Sequence, residues 1–340
     1  GVIVFLPNIL FLFLAIAFAF TSLAEIEKVA AVMVTGKWQF LTAALILQIC
    51  WLGIVGATYS SLYRIVGVPD TTRRLWKLAS AAQFANVIAP TGGVSAAAVF
   101  LSDANRNQKS TARVTVIYTL SVFFEYIGFL FILILGLGIL ASGHSIHAAE
   151  IAASILLVLA ATALAVILYL AMVSEALLGR FLSGCSRLIN SIVRPIIQQD
   201  WLHEKRALSF SRELAEGVSD LKRHPNGLLA PLGLALTNKA LLILILWLIA
   251  MAFETYLRPD ILIAGFSIGY LFLIVSPTPA GVGVMESAMA LSLRSLGVTL
   301  ETATVITIAF RGITFWIPLV IGAINFKMCQ SNFTGSAETV

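Results

Sequence analysis

The sequence predicts an all-α polytopic membrane protein with about six transmembrane helices and two re-entrant helical hairpins, arranged as an inverted repeat. Of its 340 residues, 59% are hydrophobic and only 11% are charged, whereas about a quarter of the residues of a soluble domain are charged. Most apolar residues lie in runs of about 20, which is the length that crosses a hydrocarbon core of about 30 Å. Two further apolar runs are broken by prolines and glycines. A single transmembrane domain over 1–340 is therefore expected.

The net charge and the cysteines limit the partners and cofactors that are expected. The net charge of +5 agrees with the lysine and arginine excess of cytoplasmic loops, so it does not indicate a nucleic-acid partner. Cys50, Cys185 and Cys329 have neither paired nor metal-ligand spacing, and we expect no disulfide, metal or cofactor. The first apolar run lacks a basic region before it and a cleavage site after it, so it is expected to stay as a span.

Six segments are long and apolar enough to be transmembrane helices. They cover about residues 2–20, 39–61, 114–141, 149–173, 228–253 and 302–326. Residues 22–34 are amphipathic and are expected to lie in the membrane interface. The polar connection over 174–226 carries Phe210, Leu214, Val218 and Leu221 at helical spacing. This pattern predicts one or two amphipathic cytoplasmic helices lying against the bilayer.

The two broken runs are too short in each arm to span a membrane. Residues 75–102 are interrupted by Pro90, Gly92 and Gly93, and residues 261–297 by Pro277, Pro279, Gly281 and Gly283. Each arm has only about 9–15 residues, or roughly 13–23 Å at 1.5 Å per residue. Irregular backbone at this depth must face protein or a water-filled cavity. Both runs are therefore predicted to be hairpins that return to the side they entered.

Loop charges predict how these hairpins are inserted. Basic residues are in excess in 61–77 and 103–113, which flank the first broken run, so both segments should be cytoplasmic. Segments 142–150 and 254–260 have no basic excess and should lie outside. The first hairpin is then expected to enter from the cytoplasm and the second from outside. Both termini are expected to be cytoplasmic.

The two broken runs also resemble each other. "APTGGVSAAAVFLS" and "SPTPAGVGVMESAMALSL" share a small residue, Pro-Thr, glycines and a helix of small residues. Each run follows one predicted span and precedes another, which defines repeat one over 39–141 and repeat two over 228–326. Inverted repeats with broken helices are typical of transporters, whose sites lie near the midplane.

Four ionisable side chains fall inside or beside the apolar segments. They are Glu125, Lys239, Glu286 and Arg311. Each costs about 2.5–3.5 kcal/mol at a helix centre, so such residues usually have a partner or a function. Two interpretations stay open for Glu125: the acids and bases only neutralise each other, or they contact a substrate. The second is favoured for Arg311.

The hairpin tips supply a second kind of binding group. A half-helix that begins after Gly93 or Gly283 presents unsatisfied N–H groups and a positive dipole end, which suits a phosphate or carboxylate. The alternative is that these glycines and prolines only kink or pack helices. The predicted substrate-binding set is Asn86, Gly92, Gly93, Ser95, Glu125, Lys239, Thr278, Gly281, Gly283, Glu286 and Arg311.

Four stretches together resemble a known family. "FANVIAPTGGVSAAAVFLSDAN", the glutamate of "FFEYIGF", "SPTPAGVGVMES" and the arginine of "IAFRGITFW" resemble the lysylphosphatidylglycerol synthase transmembrane family. This is the flippase-like module at the N-terminal side of multiple peptide resistance factors, also found as stand-alone proteins. The resemblance implies a lipid-translocating domain, which in some members moves aminoacylated phosphatidylglycerol to the outer leaflet. Ser95 and Tyr126 stand at or beside positions that are charged in many relatives, so the lipid is left open.

The residues and the resemblance together favour a phospholipid flippase in the cell membrane. After Lys327 only a short polar tail follows, so a transporter is expected and not an aminoacyl-transfer enzyme. Two alternatives stay open. One is a proton-coupled transporter of a small anion with Glu125 as carrier, and the other is a membrane subunit that docks a lipid-modifying synthase on 174–226. A second copy of the chain is a further candidate partner.

Overall fold

The structure is a computed structural model that describes residues 26–68, 70–89, 93–142, 148–197, 204–218, 225–276 and 278–334. The described residues are helical and contain no strand, which confirms the predicted all-α class. Residues 26–35 form a short helix. The numbered helices that follow it are α1 (Trp38–Ile65), α2 (Thr72–Ile88), α3 (Val94–Arg106), α4 (Thr111–Ser142), α5 (Ala148–Val173), α6 (Glu175–Ile197), α7 (Glu204–Val218), α8 (Leu229–Ala252), α9 (Pro259–Val275), α10 (Val284–Ser295), α11 (Leu300–Arg311) and α12 (Ile317–Thr334).

Five helices of the described chain are long and apolar enough to cross a membrane. They are α1, α4, α5, α8 and the continuous helix Leu300–Cys329, which joins α11 to α12. These correspond to five of the six predicted spans, and the sixth, over 2–20, lies outside the described residues. The protein is therefore a helical integral membrane protein.

The chain forms two compact units. The first contains Gly1–Cys50, Leu133–His147 and Leu241–Val320, and the second contains Trp51–Ile132, Ala148–Ala240 and Ile321–Val340. Helices from both predicted repeats contribute to each unit, and the inverted repeat itself stays a prediction. Each unit contains one helical hairpin.

The hairpin of the second unit is formed by α2 and α3. At its base, Arg74 Nη2 lies 2.6 Å from Asp103 Oδ1, and Asp70 pairs with both Arg74 and Lys109. At its tip, the Gly93 N–H donates to Asn86 Oδ1 at 3.1 Å. Contacts at both ends make the two helices antiparallel. Helix α2 has 17 residues, slightly more than the predicted arm length of about 9–15, and α3 has 13. At 1.5 Å per residue they are about 25 and 20 Å long, which is less than the thickness of a membrane core.

The hairpin of the first unit, α9 with α10, is held by close packing at glycines. A Cβ on Gly269 would lie 2.8 Å from Met289 Cβ, and one on Gly265 would lie 2.5 Å from Leu293 Cδ2. The pairing of 265 with 293 and of 269 with 289 makes these helices antiparallel as well. Because Gly265 and Gly269 have no side chain, helices α9 and α10 can pack closely at these positions.

The 174–226 connection, predicted to contain one or two amphipathic helices, contains the helices α6 and α7. Leu178, Leu214 and Val218 on their apolar faces are fully buried in the core of the second unit. The Phe210 side chain and Leu221 lie outside the described residues. The described part of the predicted apolar stripe is thus covered by protein. This stripe was expected to lie against the bilayer. The periodicity of a helix predicts an apolar face, but it does not distinguish lipid from protein as the surface that covers this face.

Close packing of α4 on α9 within the first unit gives a direct test of the fold. A Cβ on Gly136 would lie 2.7 Å from Ser267 Cβ, whereas one on Gly138 would meet nothing within 4 Å. Gly136→Ala is expected to destabilise the protein by about 1–3 kcal/mol through overpacking. Gly138→Ala, on the same helix, is expected to be neutral or slightly stabilising because alanine favours helix. Thermal unfolding in detergent measures both variants, and equal midpoints would contradict the packing.

The base of the α2–α3 hairpin predicts a pH dependence. Burial alone would raise the pKa of Asp70, but hydrogen bonds from Lys109 and the Thr71 N–H and the charge of Arg74 together lower it. A lowered carboxyl pKa contributes stability above its unfolded value of about 3.9, and this contribution is lost as the pH falls through the folded value. The wild type should therefore lose thermal stability on acidification below about pH 4 more steeply than Asp70→Asn. If the thermal stability of the wild type and of Asp70→Asn fell in parallel with pH, Asp70 would not contribute this stability. Glu301→Gln, at an exposed acid, is the matched control.

Candidate functional site

A buried lysine and a glutamate form the first acid–base pair, in the second unit. The Lys239 side chain on α8 is fully buried and its ammonium contacts Glu125 Oε1 on α4, while the Glu125 side chain is 38% exposed. A Cβ on Gly128 would lie 3.1 Å from Ala235 Cβ, so the small residues let α4 and α8 approach. Because a buried charge without a partner is strongly unfavourable, the pair fixes these two helices together.

The tip of the α2–α3 hairpin lies in the same unit and is braced by hydrogen bonds. Asn86 Oδ1 accepts from the Gly93 N–H, and the Ser95 hydroxyl donates to the Ala89 carbonyl at 2.7 Å. The Tyr118 hydroxyl on α4 donates to the Gly93 carbonyl at 2.8 Å. Gly93 has φ 95°, a left-handed conformation that favours glycine.

The bracing gives three of the predicted ligand-binding residues a structural role. Asn86, Gly93 and Ser95 hold the turn through their described polar contacts, and ligand binding by them stays a prediction. Gly92 lies outside the described residues. Sequence reasoning missed Tyr118, although it precedes Glu125 by about two helical turns and so lies on the same face of α4.

The second acid–base pair joins α10 to α11 in the first unit. Arg311 Nε lies 2.6 Å from Glu286 Oε1, and the Arg311 side chain is only 3% exposed. The guanidinium also donates to the Ala280 carbonyl, and its carbon lies 4.0 Å from the Phe315 ring centroid. The contact with Glu286 is electrostatic without hydrogen-bond alignment, since neither Glu286 carboxylate oxygen receives a hydrogen bond from a described residue.

Arg311 thereby holds the tip of the α9–α10 hairpin, which has an unusual backbone. Ala280, Gly281 and Gly283 have φ of 53°, 67° and 81°, and the left-handed conformation is unfavourable for alanine. Thr278 Oγ1 lies 2.7 Å from Ser276 Oγ and bonds the Val282 carbonyl at 3.3 Å. The predicted ligand hydroxyl of Thr278 is thus engaged within the tip. Gly283, in contrast, is exposed at the start of α10.

A π-helical turn over Gly312–Trp316 follows Arg311 directly. Such turns are rare and often mark functional sites. This turn contains Phe315, and a Cβ on Gly312 would lie 2.5 Å from Val29 Cγ1 of the 26–35 helix. Pro318 was the available signal, because a proline removes a helix hydrogen bond and crowds the carbonyl four residues earlier. The sequence predicted one unbroken span over 302–326.

Family comparison agrees with this arrangement of broken helices and intramembrane charges. The family model for the lysylphosphatidylglycerol synthase TM region matches residues 1–322. The chain belongs to this family. No curated protein and no solved structure matches the chain. The match includes both hairpins and all four ionisable residues of the two pairs.

Each unit of this lysylphosphatidylglycerol synthase TM region contains one acid–base pair and one hairpin tip. Each pair is formally neutral when no ligand is bound. Arginine is permanently charged and its planar donors match phosphate or carboxylate. The half-exposed Glu125 can accept from an ammonium group. Substrate contact by any of these groups stays a prediction.

Proposed function

We propose that the protein is a flippase-like transporter that moves a phospholipid headgroup across the cell membrane, and that it is not an enzyme. The observation that carries the proposal is Arg311, a guanidinium buried beside the tip of a broken helix pair in an integral membrane protein. Its buried charge costs several kcal/mol, which is usually retained only for function. Membership of the lysylphosphatidylglycerol synthase TM family supports a phospholipid as the substrate class.

Arg311 is proposed to bind the lipid phosphate by exchange with Glu286. Arg311 and Glu286 are in contact, and a phosphate would compete with Glu286 for the guanidinium through paired charge-assisted hydrogen bonds. The first-turn N–H groups of α10 and the exposed Gly283 favour an anion at the same helix end. Release of the phosphate returns Arg311 to Glu286 and restores neutrality.

Glu125 is proposed to recognise an amine on the headgroup. Its carboxylate contacts Lys239 yet its side chain is 38% exposed, so a second cation can approach it from outside the pair. The acyl chains stay in the bilayer during translocation, and only the headgroup needs polar partners. Phospholipids without an amine would lack this contact.

The topology is part of the same proposal. Both hairpins are proposed to be re-entrant, since their arms are shorter than a membrane core and the charged base of α2–α3 is held together by Arg74. We place both termini in the cytoplasm, on the basis of the loop charges.

Headgroup translocation in liposomes tests the function. Purified protein in liposomes is expected to accelerate the exchange between leaflets of both phosphatidylglycerol and its lysyl ester, relative to protein-free liposomes. Glu125→Gln is expected to lower the ratio of the lysyl-ester rate to the phosphatidylglycerol rate about tenfold, because a charge-assisted hydrogen bond contributes about 1.5–3 kcal/mol. The ratio is independent of how much protein is folded.

Two outcomes would contradict this account. No acceleration by the wild type would exclude a flippase. A small soluble anion accumulated under a proton gradient would then identify the alternative transporter. Acceleration with an unchanged ratio in Glu125→Gln would leave the flippase but remove Glu125 from amine recognition.

A further inference from the structure

A groove lies between α6 and α7, within the second unit and outside both acid–base pairs. It is a shallow groove, open over much of its extent, with a volume of about 880 Å³. The two helices approach closely at its floor, where a Cβ on Gly179 would lie 3.3 Å from Leu208 Cδ2. Ser183 and Ser211 line it and are buried.

Positive charge dominates the groove. Three arginines line it, Arg180, Arg187 and Arg212, while Glu175 is the one acid among the residues that line it. The neighbouring Glu213 accepts a hydrogen bond from Thr115 on α4 at 3.2 Å, so its carboxylate is turned to the core of the unit. The described lining therefore carries two more positive than negative charges.

The arginines are placed to donate to an anion. All three are exposed, and Arg187 Nε donates to the Ser183 carbonyl at 3.3 Å, which directs its side chain along the groove. Arginine donors match a phosphate group in pairs.

We propose that this groove binds a phosphate group, carried by an anionic lipid at the membrane surface. Leu177 and Phe181 are 44% and 40% exposed and lie within one turn of Arg180. Leu208, which lines the groove, is 48% exposed. An acyl chain covers such apolar residues, whereas a free phosphate uses only the arginines. The groove thus fits a phosphate joined to an apolar chain.

Photo-crosslinking with a local readout tests the site in the full chain. A photoreactive short-chain phosphatidylglycerol is added to the purified protein in detergent, and crosslinked peptides are located by mass spectrometry. Crosslinks are expected within 174–187 or 208–212, with a yield that saturates. Each of Arg180→Gln, Arg187→Gln and Arg212→Gln is expected to raise the half-saturating concentration about fivefold. Arg64→Gln removes an exposed arginine of the same unit away from the groove and is expected to change nothing.

Competition identifies the source of the phosphate group. Inorganic phosphate should reduce crosslinking only at concentrations well above that of the lipid, and short-chain phosphatidylcholine should crosslink weakly. If inorganic phosphate competes as strongly as the lipid does, the site binds free phosphate. The proposal is overturned if the variant with all three arginines replaced by glutamine crosslinks like the wild type. It is also overturned if Arg64→Gln weakens crosslinking as much as the groove variants do, or if phosphatidylcholine crosslinks as well as phosphatidylglycerol.

Discussion

Arg311→Met is expected to lower headgroup translocation by roughly 100-fold, because it removes the guanidinium that is proposed to bind the phosphate. The substitution also removes the partner of Glu286 and the donor to the Ala280 carbonyl. A buried carboxylate without its counter-charge costs about 3–5 kcal/mol. The variant should therefore be less stable as well as inactive, which leaves two explanations for the lost transport.

The double variant Arg311→Met with Glu286→Gln separates these explanations. It removes both charges, and replacement of a whole buried ion pair is often neutral for stability. It is expected to regain most of the thermal stability that Arg311→Met loses, yet to remain inactive in liposomes at wild-type protein content. Recovery of transport together with stability would show that Arg311 only locks the α9–α10 tip, and the phosphate site would lie elsewhere.

Glu125→Gln is expected to destabilise the protein more than Lys239→Met, by up to about 3–5 kcal/mol. The asymmetry follows from burial. The Lys239 side chain is 0% exposed and would be left in the interior without the carboxylate it contacts, whereas the Glu125 side chain is 38% exposed and is already partly solvated.

A double-mutant cycle in detergent measures this second pair. Thermal unfolding of Glu125→Gln, Lys239→Met and the double variant gives the coupling between the two side chains. The double variant should be more stable than Glu125→Gln alone, since no charge is then left without its partner. The role assigned to burial would be contradicted if the two single variants lost the same stability. It would also be contradicted if the stability lost by the double variant were the sum of the two single losses.

Composition and periodicity predicted the class of fold and most of its elements, because a membrane imposes strong constraints. Apolar length alone located five spans that the structure contains. Prolines and glycines predicted the positions of both helical hairpins, and their re-entrant insertion stays a prediction. The spacing of Leu214 and Val218 predicted one or two amphipathic helices in the 174–226 connection, and the structure has two helices there, α6 and α7.

The sequence could not supply the partners of the charged groups. Two acids and two bases at similar depth allow several pairings, and only the packing of α4 on α8 and of α10 on α11 joins Glu125 to Lys239 and Glu286 to Arg311. Tyr118 and Phe315 were missed for the same reason, since their roles depend on contacts with distant parts of the chain. The described hydroxyls at the tips, which were predicted to bind a ligand, also bond the backbone of their own turns.

The charged clamp at the base of α2–α3 has a consequence for how the protein is made. Asp70, Arg74, Asp103 and Lys109 are joined in one network. Passage of four such groups through the hydrocarbon core would cost on the order of 10 kcal/mol. During synthesis, the segment between them can enter the bilayer while its two ends stay behind. If the hairpin is re-entrant as proposed, the clamp would oppose its conversion into a pair of spans, because the four groups would then have to leave one another and cross the core.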